Sequence, residues 1–186
     1  MRIVGGELKG RSIRTCEGPG YRPATMKVRE SVFSMLAARG VDFGSARVID
    51  LFAGSGSLGI ECLSRGAPEV WFVEKAPKAA ALIRRNLEDL GVSRTRAKVL
   101  LKDLFAVLAK PPQMPFDLVF IDPPYGKGLL APALEKALNA GWVADGGVVV
   151  AEVETAVSTP QTGPLAELEL VTDREYGQTR IIVWRN

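Results

Sequence analysis

The sequence predicts an α/β domain built on a doubly wound, mostly parallel sheet of seven strands, and three observations predict it. From Arg47 onward, short runs rich in Val, Ile and Phe alternate with helical stretches in units of about 25–30 residues, the rhythm of strand–helix–strand crossovers. A glycine-rich stretch, Ala53-Gly-Ser-Gly-Ser-Leu-Gly59, joins the first run to the helix after it. Beyond Glu154 the alternation stops, and two β-rich runs with a turn at Tyr176-Gly177 predict an antiparallel pair that closes the sheet.

Taken in order, residues 47–52 read as the first strand, followed by a helix to about Arg65. The second strand is 69–74. Its helix, from about Pro77 to Leu90, carries apolar residues at 79, 82, 83, 87 and 90, the spacing of one buried face. Residues 97–101 form the third strand, with a short helix after Asp103, and 116–121 the fourth. A helix over 129–138 precedes the fifth strand at 147–152, and 165–172 and 179–184 complete the sheet. The first 46 residues differ. Arg2-Ile-Val4 and Ser12-Ile-Arg14 flank Gly5, Gly6 and Gly10, which predicts a small hairpin, and Gly18-Pro19-Gly20 breaks it. Thr25 is placed to N-cap a helix to about Ala38, with Val28, Val32, Phe33, Met35 and Leu36 near helical spacing and Phe33 in the core. The chain therefore divides into a hairpin-and-helix extension, 1–46, and a main domain, 47–186.

Composition narrows the chemistry. The 186 residues include no histidine, which removes His bases, His triads and His metal ligands together. Two cysteines, Cys16 and Cys62, cannot build a Cys-only zinc site, and no metal is expected. No apolar run approaches a membrane span, and the N-terminus has no apolar signal core. A cytoplasmic protein with free thiols is expected, and nothing demands more than a monomer. Charge is uneven: residues 1–30 carry seven basic side chains (Arg2, Lys9, Arg11, Arg14, Arg22, Lys27, Arg29) against three acids. A solvated face explains such a stretch as well as a nucleic-acid contact does.

Gly54-Ser-Gly-Ser-Leu-Gly59 satisfies the G-x-G-x-x-G pattern, and Glu74 stands 20 residues on, where a ribose-binding acid belongs. NAD fits that pattern. Asp50 tilts the choice, because a carboxylate beside a pyrophosphate is repelled, whereas it suits the positive groups of S-adenosylmethionine. Asp103, at the end of the third strand, is placed either to accept from an adenine amine or to N-cap the helix behind it, and can do both. The sharpest motif is Asp122-Pro-Pro-Tyr125 at the end of the fourth strand. Consecutive prolines fix φ and remove donors, leaving carbonyl acceptors beside a carboxylate and a flat ring. A planar group with an exocyclic NH₂ finds two acceptors and a stacking partner there.

These two motifs resemble the class I methyltransferases that modify exocyclic amines. Arg2-Ile-Val-Gly-Gly6, Gly10-Arg11, the stretch from Arg22 to Phe33, Gly66-Ala67, Gly141-Trp142 and Tyr176-Gly-Gln-Thr179 narrow the resemblance to the RsmD-like family, which methylates guanine N2 in small-subunit (16S) ribosomal RNA. It covers essentially the whole chain. It implies S-adenosylmethionine as cofactor, held by Asp50, Phe52, Gly54, Ser55, Gly56, Glu74, Lys75, Asp103 and Leu104. It implies that Asp122 and the Pro123 carbonyl accept the amine protons while Tyr125 stacks on the base. The seven basic residues of the arm are then expected on phosphates of ribosomal RNA, free or within a subunit. Ala24 and Met26 depart from the Thr and Asp usual in the family. The rival readings are an adenine-N6 methyltransferase on RNA or DNA, a glutamine methyltransferase, and a non-catalytic RNA-binding assembly factor that keeps the fold.

Overall fold

A computed structural model describes residues 1–15, 26–158 and 163–186. Seven strands, β1 (Arg47–Asp50), β2 (Glu69–Glu74), β3 (Ala97–Leu101), β4 (Phe116–Ile121), β5 (Val143–Glu154), β6 (Glu169–Tyr176) and β7 (Thr179–Arg185), form one sheet in the order β3-β2-β1-β4-β5-β7-β6. Pairs from β3 through β5 are parallel, whereas β7 runs antiparallel to both β5 and β6. The doubly wound expectation and its antiparallel close are both realised. β5 begins four residues earlier than the Gly147 start read from sequence, and a 3₁₀ turn at Gly163–Ala166 was not anticipated.

Alternation along the strands divides the core between two faces. Val48, Phe72, Phe120 and Val150 pack with α1 (Met26–Ala38), α2 (Ser57–Ser64) and α3 (Pro77–Leu90). Ile49, Val119, Ile121 and Ala151 pack with α4 (Leu104–Val107) and α5 (Leu130–Asn139) on the other face. No helix among the described residues is long and apolar enough to cross a membrane. Cys62 is a buried free thiol; Cys16, the Gly18-Pro19-Gly20 break and the Thr25 cap lie outside the described residues.

The extension is built into this core. Its hairpin is reduced to one antiparallel bridge, Arg2 with Ser12, closed by Gly10 N donating to the Ile3 carbonyl (2.9 Å) and Ile13 N to that of Met1 (2.8 Å). Ile3, Ile13, Val32, Phe33 and Leu36 are buried on the α2 face of the sheet. Polar side chains of the main domain fasten it. Val4 N donates to Glu61 Oε2 (2.9 Å), Leu8 N to Ser64 Oγ (2.9 Å), and Arg14 N to Asn86 Oδ1 (2.9 Å).

Close approach of α2 to β2 requires glycine at position 59. A Cβ there would lie 2.8 Å from Phe72 Cζ and 2.9 Å from Val70 Cγ1, both side chains fully buried. Gly59→Ala is expected to lower the unfolding free energy by about 1–2 kcal/mol, because overpacking outweighs the gain in helix propensity. Urea unfolding checks it. A variant as stable as the parent would show that the ring can move aside.

Candidate active site

The sheet reverses direction of growth between β1 and β4, and a cavity of about 840 Å³ opens beyond the carboxyl ends of these strands. Phe52, Gly54, Glu74, Asp103, Asp122 and Tyr125 are among its walls, so the glycine loop and the Asp-Pro-Pro-Tyr segment face one space. Ser55, Lys75 and Leu104 also line it. Asp50 and Gly56 do not: Asp50 is 1% exposed, and Gly56 starts α2 with φ 79°, a left-handed conformation that favours glycine.

The loop is held by carboxylates. Glu74 accepts from Gly54 N (2.9 Å) through one oxygen and from Ala76 N (2.7 Å) through the other, which ties the loop to the end of β2. Asp50 Oδ2 accepts from Gly59 N (3.3 Å), whereas its Oδ1 is buried with no hydrogen-bond partner among the described residues. Burial, with the negative charge of Glu74 adding and the Gly59 hydrogen bond opposing, pushes the Asp50 pKa up to about 7. Such a group is suited to a cationic ligand. Asp103 is the N-cap of α4, its Oδ1 accepting from Phe105 N (2.9 Å), and it is exposed with a second oxygen to spare. The cavity wall thus offers carboxylate oxygens of Glu74 and Asp103, with Asp50 buried behind the glycine loop.

After β4, the strand beside β1, Asp122 is part-exposed in the wall of the same cavity. Burial, then the negative charges of Glu152 and Asp50, hold its carboxyl well above the usual carboxylate range. Tyr125 shares a 3.0 Å hydrogen bond with Thr179 Oγ1 at the start of β7, which fixes its ring, and burial raises its phenol pKa. Pro124 lines the main cavity, while Pro123 borders a small adjoining hollow with Tyr125. Thr179, and Gln178 in the cavity wall, belong to the Tyr176-Gly-Gln-Thr179 stretch that carries part of the family resemblance, but that stretch gives no role at the site: Thr179 meets Tyr125 across 54 residues of chain.

The basic arm divides. Arg2, Lys9, Arg11, Arg14 and Lys27 are exposed; Arg22 lies outside the described residues. Arg11 donates to the carbonyls of Leu90 (2.9 Å) and Asp89 (2.6 Å) at the C-terminus of α3, and Arg14 pairs with Asp89 at 3.3 Å. Arg29 requires a correction. It is 1% exposed, with Nη2 donating to the Arg2 carbonyl (2.8 Å), because it sits on the same helical face as Val32, Phe33 and Leu36. It cannot reach a phosphate from there. Lys75 and Lys102 stand at the cavity itself. Of the two departures from the family pattern, Met26 is 55% exposed and Ala24 lies outside the described residues.

Comparison with known proteins agrees with this geometry. A family described as conserved hypothetical protein 95 matches residues 1–185. The Bacillus subtilis (strain 168) protein YlbH is 35% identical over 187 residues, covering 100% of this chain and 98% of its own. Ribosomal RNA small subunit methyltransferase D of Escherichia coli (strain K12) is 36% identical over 160 residues, covering 86% of this chain and 78% of its own. The solved structure of the Escherichia coli protein yhhF superposes with a TM-score of 0.84 at 33% identity, covering 100% of this chain and 97% of that one. With the strand order, the glycine loop and Asp122-Pro-Pro-Tyr125 in one crevice, the chain belongs to the RsmD-like family of class I S-adenosylmethionine-dependent methyltransferases.

Proposed function

We propose that this protein methylates the exocyclic N2 amine of a guanine in small-subunit ribosomal RNA. The observation that carries the reading is the placement of Asp122 and Tyr125 in one cavity with Glu74 and the glycine loop, in a chain similar to a ribosomal RNA small subunit methyltransferase. S-adenosylmethionine, when bound, supplies a methyl group already activated on a sulfonium. The glycine loop, with Asp50 buried behind it, would orient its amino-acid end, Glu74 its ribose and Asp103 its adenine, with Phe52, Ser55, Lys75 and Leu104 lining the site and Gly56 turning the chain into α2.

The protein's remaining task is to aim a poor nucleophile. The lone pair of guanine N2 is delocalised into the ring. Asp122 and the Pro123 carbonyl accept its two N–H bonds, which favours tetrahedral nitrogen, while Tyr125 holds the base in line. Positioning of this kind contributes up to about 7–11 kcal/mol in favourable cases. A stacked base cannot enter the crevice, so the target is unpaired or flipped out. Arg2, Lys9, Lys27 and Arg22 serve the phosphates, joined by Arg11 and Arg14 beside their structural bonds. Affinity for RNA is therefore expected to fall about tenfold or more between 50 and 200 mM salt, as released counterions require; filter binding at stepped salt checks this.

The decisive test transfers labelled methyl to small subunits that lack their normal methylations, with free 16S RNA, large subunits and duplex DNA beside them. N2-methylguanosine in the small subunit alone supports the reading. Label in N6-methyladenosine or in protein overturns it.

A further inference from the structure

Buried Arg29 feels the charge of two carboxylates, and the strand register sets one of them beside Asp122. Ile121 pairs with Ala151 in the parallel β4–β5 ladder, so the next residues, Asp122 and Glu152, stand side by side. They share the parity of Phe120 and Val150, which pack on the α1 face. Neighbouring strands lie roughly 4.8 Å apart, close enough for two carboxylates to repel strongly. Glu152 is only 6% exposed. Arg29, on α1, has Nε and Nη1 buried without a hydrogen-bond partner among the described residues, and its charge acts on Glu61 and Glu152. Glu61 already accepts from Arg65 Nε (3.0 Å) and Val4 N (2.9 Å). Glu152 is the carboxylate left for Arg29 to balance.

We propose that Glu152 is a positioning residue of the acceptor site, faced by Arg29, and that with Asp122 it forms the pair that receives the proton lost by the methylated amine. The proposal rests on the amine-methylating reading above. As the nitrogen lone pair forms the new N–C bond, the S–C bond breaks and its electron pair stays on sulfur. Positive charge thus passes from sulfur to nitrogen. Loss of one N–H proton to Asp122 restores a neutral amine, and the negative charge of the pair falls by one. Without Arg29 the two neighbouring carboxylates would hold a shared proton more tightly, and Asp122 would be a poorer acceptor for the amine. Burial pushes the Glu152 pKa up to about 7 and Arg29 pulls it down, in keeping with such a pair. The groups facing it are Arg29 from α1, Asp50 from β1 and Tyr125 after β4, with Glu61 acting through Arg29. β7 presents uncharged Ile181 opposite Glu152.

The experiment is single-turnover methyl transfer as a function of pH for Glu152→Gln, Arg29→Met and Arg29→Lys. Glu152→Gln removes a repelling charge, so the acid limb of the profile moves down by about one pH unit while the plateau rate falls about tenfold. Arg29→Met removes the balancing cation, so the limb moves up by about one pH unit, and Arg29→Lys restores it to within about half a unit of the parent. Loss of packing alone would not move the limb in opposite directions. Limbs that superimpose, or that move together, overturn the proposal.

A second readout needs neither cofactor nor RNA. The folded parent binds protons that the unfolded chain has released, so its Tm falls as pH rises toward about 7. Glu152→Gln is expected to flatten that slope, and an unchanged slope overturns the pairing. Should Arg29→Met fail to fold, the other two variants carry both tests. Absence of methyl transfer by the parent would sink the acceptor assignment instead, and the Tm slope would still decide the pairing.

Discussion

Asp122→Ala is expected to reduce methyl transfer by at least about a thousandfold while changing S-adenosylmethionine affinity by less than about threefold. The asymmetry follows from where Asp122 stands. It is at the end of β4, in the wall of the cavity that the glycine loop also lines, and Pro123 and Pro124 make the backbone behind it stiff. Its carboxylate has two negative neighbours, Glu152 and Asp50, and no cation among the described residues acts on it directly. It is consequently poised to accept hydrogen bonds from a neutral amine and then to take its proton. Alanine removes acceptor and proton site together. Asn keeps one acceptor oxygen and adds a competing NH₂, so Asp122→Asn is expected to fall between Ala and the parent. Calorimetry with S-adenosylmethionine and labelled transfer under single turnover separate the two quantities. Near-normal transfer by the alanine variant would remove Asp122 from the reaction. Unfolding cannot mimic the expected result, because removing a carboxyl whose charged form is disfavoured by burial should leave the thermal melt unchanged or raised near neutral pH.

Much of this site was legible in the sequence because its parts are local. G-x-G-x-x-G and Asp-Pro-Pro-Tyr are contiguous, and each follows a strand whose β-branched run is plain, so a parallel sheet alone brings them to one crevice. Asp103 was read as both cap and ligand, and the cap is realised in its 2.9 Å bond from Phe105 N. The parts that escaped depend on register or on faces. Glu152 ends an apolar run, and only the pairing of Ile121 with Ala151 sets it beside Asp122. Thr179 lies in a stretch that marks the family, but its meeting with Tyr125, 54 residues away in the chain, is encoded by neither segment alone. Arg29 belongs by charge to the basic arm, but it precedes Val32, Phe33 and Leu36 by three, four and seven residues, the spacing of one buried stripe. A cation inside such a stripe calls for a buried acid near it. The extension's docking was equally hidden, since Glu61, Ser64 and Asn86 look like ordinary surface polar residues of helices until the hairpin covers them.

Asp50→Asn is expected to act in opposite directions on binding and on stability. In the folded protein its carboxylate is 1% exposed, one oxygen accepts from Gly59 N at 3.3 Å, and the other has no partner among the described residues. Its pKa is raised to about 7, so the folded state holds a proton that an unfolded carboxyl has already released. Stability contributed by that protonated form is present at acid pH and is lost as pH climbs toward 7 and beyond. Asn does not titrate. It keeps an acceptor for Gly59 N and places a neutral NH₂ where the unpaired oxygen stood. The variant should therefore melt with the parent, or a little below it, at pH 5, and several degrees above it at pH 8. S-adenosylmethionine affinity at pH 8 should fall about a hundredfold, since a neutral amide cannot replace a buried carboxylate beside an ammonium group. The two measurements test different links of the same chain. Equal melting slopes would show that Asp50 is not a strained buried acid. Equal affinities would show that the ammonium group is held elsewhere. Should both predictions succeed, the cofactor-free fold carries at Asp50 a cost that only a cationic ligand relieves, and cofactor binding should raise Tm more in the parent than in the variant.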